Sequence, residues 1–382
     1  MKVTNYYSEC YFPDKVIVAL REEFSEPMSN YIGMDYQSIE TIYRPGPNSE
    51  GIKQIVLVHL RDQGQATVPA AIDRLQASPY VVYAEPDYYE YAHAIPNDPM
   101  YRQLWGMTAI QAPRAWDIAT GSPDVIVGVL DSGIEGNHPD LRENFVPGTG
   151  AFNGRDQDGH GTHVAGTIGA VGDNRIGVTG VCWRVGLANF RLGSRVFDLA
   201  TAIAAIDFSR RHRIPILNNS WGGRGDSRAL RLAIEQYEGL FVVSAGNNGT
   251  NNDSLPMFPA SYNSANIISV AATGQNNALA SFSNFGARSV HIAAPGVGIL
   301  STDINGRYSS MNGTSMAAPH VAGAAALLKA HNPSLSTENL KQIILQSATR
   351  TASLAGRVQS GGVLNVAAAL AAANRCNCSC RC

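Results

Sequence analysis

Beyond about residue 97, short apolar runs alternate with helical segments, and this alternation restricts the fold more than any other feature. DVIVGVL, GLANFRL, IPILNNS, FVVSAGN and NIISVAA have the length and texture of buried strands. LATAIAAIDFSRRH and ALRLAIEQYEG, lying between such runs, read as helices. Strands that are apolar on both faces must be covered on both, and interleaved helices do this over a parallel sheet. The predicted fold is therefore α/β, a mostly parallel sheet with helices on both faces. In such sheets reactive groups gather at the carboxyl ends of the strands. Asp131, Ser220 and Asn247 each follow an apolar run and meet that condition.

Residues 1–94 have a different texture. DKVIVAL and QIVLVHL read as strands, and TVPAAIDRLQAS as a helix with Val68, Ile72 and Leu75 on one face. YVVYAEPDYYEYA is a further strand, and AHAIPNDPM has the composition of a linker. The expected organisation is a small α+β domain over 1–94, a larger α/β domain over 95–373 and a cysteine-rich tail over 374–382. In the tail Cys376, Cys378, Cys380 and Cys382 alternate with other residues. A soft metal or intermolecular disulfides suit that spacing, while a disordered end with no part in the main activity is the plainer reading. The net charge of −2 over 382 residues argues against a nucleic-acid partner. No apolar run approaches the ~20 residues of a membrane span. The start MKVTNYYSECYF lacks the apolar core of a signal peptide.

Three glycine-rich islands carry the chemistry. VLDSGIEGNHPDL holds Asp131, DGHGTHVAG holds His160 and NGTSMAAPHVAG holds Ser315. Neutral serine is a poor nucleophile until an imidazole takes its proton and a carboxylate orients that imidazole. Ser315 opens an alanine-rich apolar helix, where free N–H groups and the helix dipole favour developing negative charge. Taken singly, Asp131 also reads as a strand-end turn and Ser315 as an N-cap. His163 follows His160 by one turn, but no H-E-x-x-H pattern accompanies the pair, so His163 reads as structural. An α/β-hydrolase esterase needs the order Ser, Asp, His and a G-x-S-x-G elbow, neither of which occurs here. A catalytically inactive binding or scaffold protein is the remaining alternative, against which the complete acid, base and nucleophile argue.

Together LDSG, HGTHVAG and GTSMAAPHVAG resemble the signatures of the subtilisin-like serine proteases, or subtilases, over about residues 97–373. Within that family the resemblance is to the thermitase-like branch. The order Asp, His, Ser is that of subtilisin itself. The resemblance implies a serine endopeptidase acting on protein or peptide substrates. Asp131 would orient the imidazole, His160 act as base and then acid, and Ser315 attack the scissile carbonyl. It implies that Asn247 donates its amide to the oxyanion. It also implies that Ser220, Trp221 and Gly222 form an edge that pairs with extended substrate. Ser244, Ala245 and Gly246 would wall a pocket for a large apolar side chain. RLGSRVFDL departs from the family by its shortness, and Trp221 stands where relatives carry a smaller aliphatic residue.

The same resemblance implies a structural calcium site. Its ligands would be Asp98, Asp140 and Asn174, with the carbonyls of Val171, Ile176 and Val178. All are oxygen donors, as calcium requires, and a bound ion would stabilise the fold by mass action. Residues 1–94 resemble inhibitor-type propeptides in pattern. That implies a zymogen whose own propeptide occupies the groove and is cleaved within Tyr91–Pro96, before Ala94 or Ile95. A permanent accessory domain is the alternative. A monomer is expected, and a propeptide of this length favours export despite the missing signal peptide.

Overall fold

The computed structural model describes residues 11–21, 36–46, 49, 51–61, 67–88, 94–147, 152, 154–194 and 196–378, with side chains to residue 373. Cys10, Arg195, the tail thiols and residues 91–93 of the expected cleavage window lie outside the described residues. The chain divides into two units, Met1–Ala92 and His93–Cys382.

The first unit is an antiparallel sheet with one helix. Its strands are β1 (Tyr11–Leu20), β2 (Tyr36–Tyr43), β3 (Gln54–Leu60) and β4 (Val81–Tyr88), in the order β2-β3-β1-β4. All three pairings are antiparallel. Side chains alternate between faces of a strand, and β3 shows it, with every second residue buried. Val16, Val18 and Leu20 of β1 and Val56, Val58 and Leu60 of β3 meet Val68, Ala71 and Leu75 of the helix Thr67–Gln76. Strand β2 goes beyond the sequence reading. YQSIETIY sits at the sheet edge with no fully buried residue, so no apolar run announces it.

The second unit carries the large sheet. Its strands are β5 (Gly121–Asp131), β6 (Phe145–Val146), β7 (Arg184–Arg191), β8 (Ile216–Asn219), β9 (Leu240–Ser244), β10 (Ile267–Thr273) and β11 (Ile292–Pro295). A separate hairpin, β12 (Ile299–Asp303) and β13 (Arg307–Met311), follows. β14 (Thr349–Arg350) and β15 (Gly362–Val363) complete the sheet, in the order β14-β15-β11-β10-β9-β8-β5-β7-β6. Every pairing is parallel except β14 with β15.

Strand β5 explains why the sequence reads as a continuous apolar run. Val127 and Val129 enter a core with Val164 and Ile168 of the helix His160–Gly169 and with the helix Thr314–His331. Leu130, facing the other way, packs with Ala202 and Ile206 of the helix Leu199–Arg211 and Leu230 and Ile234 of the helix Arg228–Glu235. The chain fills β6 and β7 on one side of β5, then β8 to β11 on the other. The reversal point is where an open parallel sheet leaves a crevice, and Asp131 ends the strand there.

Helix Thr314–His331 is buried along residues 314–328, so it runs through the domain interior. Its alanines and Gly323 permit this. A Cβ at Gly323 would stand 2.8 Å from Val181 Cβ and 2.9 Å from the Ile168 carbonyl oxygen. Cys182 is buried nearby as a free thiol, pushed up to about 12 by burial, and behaves as a small apolar residue.

Candidate active site

Asp131 has no solvent exposure and sits at the end of β5. Its Oδ1 accepts from the Ser132 backbone N–H at 2.7 Å and lies 2.7 Å from His160 Nδ1. With the carboxylate as acceptor, the ring proton resides on Nδ1 and Nε2 is left with its lone pair free. Burial disfavours a charged imidazole, but the Asp131 charge and hydrogen bond outweigh it and raise the His160 pKa above its ordinary value.

His160 is the first residue of its helix, and what holds that helix start is Asp156. The buried Asp156 carboxylate accepts from the N–H groups of Asp158, Gly159 and Thr162 and from the Thr162 hydroxyl, at 2.7 to 3.0 Å. The Gly159 and Thr162 N–H groups are among the orphan donors every helix N-terminus leaves. Sequence reading missed Asp156, although an acid just ahead of a helix start is a capping signal. His163, one turn on, points away from this chemistry. Its Nε2 meets the carbonyls of Ile299 and Ser309 at 2.9 and 3.1 Å. Burial lowers its pKa to about 4, so it is neutral and ties the helix to the β12–β13 hairpin.

Ser315 is the second residue of its helix and lies 9% exposed. Its Oγ donates to the Ser220 carbonyl at 2.9 Å, turned to the strand edge instead of to the imidazole. Ser220 Oγ donates in return to the Ser315 carbonyl at 3.0 Å. Pro319 accounts for this second bond. The Ser315 carbonyl would normally receive the N–H four residues on, but that residue is Pro319, which has none. Ser220 supplies the missing donor, and Asn218 Nδ2 donates to the Ser220 hydroxyl at 2.9 Å.

Asn247 is exposed in the loop after β9, but its amide is oriented. Oδ1 accepts from Thr314 N–H and Thr314 Oγ1, each at 2.9 Å, so Nδ2 is turned outward as a donor. The loop reaches this position through Gly246, at φ 110°, a conformation that favours glycine. Behind it lies an asparagine pair. Asn284 Oδ1 accepts from the N–H groups of Asn248 and Thr250 at 2.9 and 3.1 Å. Asn284 Nδ2 donates to Asn252 Oδ1, and Asn252 Nδ2 to the Ala245 carbonyl, both at 2.9 Å. Neither asparagine has a local sequence signal, because the contacts that join the pair to each other and to Asn248 span more than thirty residues.

Around this centre Ser220 and Ser244 are buried, Trp221 and Gly246 half-buried, and Gly222 exposed. Trp221 Nε1 donates to the Leu130 carbonyl at 3.1 Å, and its ring meets Phe197 at 6.0 Å between centroids. The Ala245 methyl packs into a core with Ala271, Val290 and Ala293, leaving only its backbone for any groove. In the 193–198 loop, Asp198 caps the helix Leu199–Arg211 by accepting from Ala200 and Thr201 N–H. Its charge is thus committed to the helix.

A second polar cluster joins Asp98, Asp140 and the 171–178 loop. Asp98 is 4% exposed. Its Oδ2 accepts from Asp173 N–H at 2.8 Å, and its Oδ1 has no partner among the described residues. Asp140 is fully buried. It accepts from Asn174 Nδ2, Val178 N–H and the Tyr308 hydroxyl at 2.7, 2.8 and 3.2 Å. Burial raises the Asp140 pKa to about 6, and the Asp98 charge adds to the rise. Among the described residues, no three His, Cys, Asp or Glu side chains converge on one point.

Comparison with known proteins agrees with this geometry. The subtilase family profile matches residues 122–366. The chain is 38% identical to an alkaline protease of Alkalihalobacillus alcalophilus, over 79% of this chain and 77% of that protein. It is 40% identical to subtilisin Savinase of Lederbergia lenta, over 69% of this chain and 97% of the relative. Among solved structures, a protease from Pseudoalteromonas arctica PAMC 21717 superposes with a TM-score of 0.65 at 31% identity, covering 73% of this chain and all of that one.

Proposed function

The chain belongs to the subtilase family of serine endopeptidases, and from that premise we propose how its residues divide the work. The observation that carries the reading is the 2.7 Å contact of His160 Nδ1 with buried Asp131, on the edge to which the Ser315 helix delivers its nucleophile. Asp131 holds the tautomer that leaves Nε2 basic. When Ser315 Oγ turns from the Ser220 carbonyl to His160, the imidazole takes its proton as the oxygen attacks the scissile carbonyl. The imidazolium then protonates the leaving amine, and water releases the acyl group by the reverse sequence. The oxyanion receives Asn247 Nδ2 and the Ser315 N–H, one of the free donors at the helix start. Ser220, Trp221 and Gly222 pair with the substrate main chain. Ser244 and Gly246, with the Ala245 backbone, border the side chain before the scissile bond.

Asp98, Asp140 and Asn174, with the carbonyls of Val171, Ile176 and Val178, hold a structural calcium ion. The unpartnered Asp98 Oδ1 and the raised pKa of Asp140 support this, since a cation there offsets two crowded buried carboxylates. The thermitase-like branch is the placement that the resemblance of the signature islands supports. The unit within residues 1–94 acts as a propeptide that inhibits the domain until cleavage in the 91–96 window. The substrates are proteins or peptides. The enzyme works as a monomer without nucleic acid, and no helix among the described residues is long and apolar enough to cross a membrane.

Intact-mass analysis with a fluorophosphonate probe tests the assignment. Wild type should lose about the first 94 residues and carry the probe on Ser315. Ser315→Ala should stay full length and unlabelled. A mature-sized fragment from that variant, in a host lacking other proteases, would overturn the mechanism.

A further inference from the structure

A pocket of about 760 Å³ opens on the second unit, and none of its lining residues is the acid, base, nucleophile or oxyanion donor of the active site. Three cations line it, Lys341, Arg288 and Arg350, against one carboxylate, Asp253. That carboxylate is already engaged. It accepts from Ser289 N–H, Ser289 Oγ and Arg288 N–H, and Arg288 Nε stands 3.9 Å away. The net charge of the whole chain is −2, so a cationic pocket here is not the by-product of a basic surface.

Lys341 is half-buried and donates to the Ala265 carbonyl at 3.1 Å. An ammonium has three N–H donors, so two remain for another partner. Burial alone pulls its pKa down to about 8, with no carboxylate acting to restore it. His291 is its neighbour in charge. Burial and the Lys341 ammonium lower the His291 pKa to about 3, so the ring is neutral. Its Nδ1 accepts from Ser269 N–H at 3.0 Å, which leaves the ring proton on Nε2 as a donor. Gln342, Gln346, Gln359 and Ser360 extend the polar wall. Ser264 lies on it too, its hydroxyl buried and without a partner among the described residues.

Among the charged groups of the lining, cations therefore outnumber the carboxylate three to one, and Lys341 and His291 offer donors. We infer that this pocket is a second ligand site of the protease domain, for a compact multivalent oxyanion bearing carboxylate or phosphate groups. Lys341 and His291 form its inner wall, and the exposed Arg288 and Arg350 its rim. Hydrogen bonds from charged donors to an oxyanion are the strong kind, about twice a neutral bond. The volume lies within the range of small-molecule sites, roughly 300–1,000 Å³.

The test uses full-length Ser315→Ala, which cannot digest itself, in calorimetric titrations at constant ionic strength. Citrate and pyrophosphate are the probes and chloride the control. Saturable binding of citrate, pyrophosphate or both, with none of chloride, that Lys341→Met weakens is the expected result, since heat from chelating calcium would be the same in both proteins. The stronger of the two identifies the source as carboxylate or phosphate. Lys341→Met should weaken binding by at least about tenfold, the effect of losing one charge-assisted hydrogen bond. Arg288→Ala changes a side chain that is 84% exposed, so folding does not depend on it, and should weaken binding several-fold. Citrate and pyrophosphate heats no different from those of chloride would overturn the site. So would unchanged affinity in Arg288→Ala and Lys341→Met.

Discussion

Asp156 and Asp140 are both buried in the same domain, at 2% and 0% exposure, and their surroundings differ. Asp156 collects four donors from the turn that starts the His160 helix. Asp140 collects three and faces Asp98, whose Oδ1 has none. A carboxylate met entirely by its own chain is a fastener. Two carboxylates crowded together with an oxygen-rich loop leave a charge for something else to balance. On the proposed reading the region around Asp156, His160 and Ser315 serves chemistry and the Asp140 region stability, and substitutions should separate the two.

The largest separation is expected from Ser315→Ala. Turnover should fall on the order of 10⁶-fold, a magnitude measured on subtilisin itself and carried over here, while the melting temperature stays within a few degrees. A large loss of stability would break the division. Asn247→Ala should lower kcat by about 10² to 10³, again a figure measured on subtilisin, with KM little changed. If KM absorbs the loss, the amide serves substrate binding and not the oxyanion.

The Asp140 region should answer in stability. Its folded pKa of about 6 lies above the ordinary carboxylate value, so without a cation the protonated form is favoured. Its stabilising contribution is complete below about pH 4 and is lost as pH rises through 6, by about 3 kcal/mol at most. Chelation at pH 7 should therefore lower the melting temperature of wild type, and Asp140→Asn should no longer respond to calcium. Equal melting curves with and without chelator would remove the ion from the picture. The smallest effect belongs to Ser220→Ala, about 1 kcal/mol by denaturant melting, because it leaves the Ser315 carbonyl without its donor.

The sheet was legible from sequence because a strand covered on both faces must be apolar throughout, as VIVGVL is before Asp131. Asp131, His160 and Ser315 could be singled out because each sits in a short glycine-bounded island whose local pattern needs no distant partner. Strand β2 was not legible, since at the sheet edge only Tyr36 and Ile39 of YQSIETIY lean on the core and no alternating apolar run results. Nor were Asn252 and Asn284, which act only through loops brought together by folding. Lys341 and His291 were equally silent. Their shared pocket joins a helix to a strand start far apart in sequence.

Pro319 has a consequence for which sequences this fold tolerates. By withholding one N–H it makes the hydroxyl at Ser220 matter, so the two positions are epistatic. Pro319→Ala restores an intrahelical donor, and in that background Ser220→Ala should be nearly neutral. A lineage that lost the proline first could then drift at Ser220, whereas one that lost the serine first would carry an unmet carbonyl behind its nucleophile.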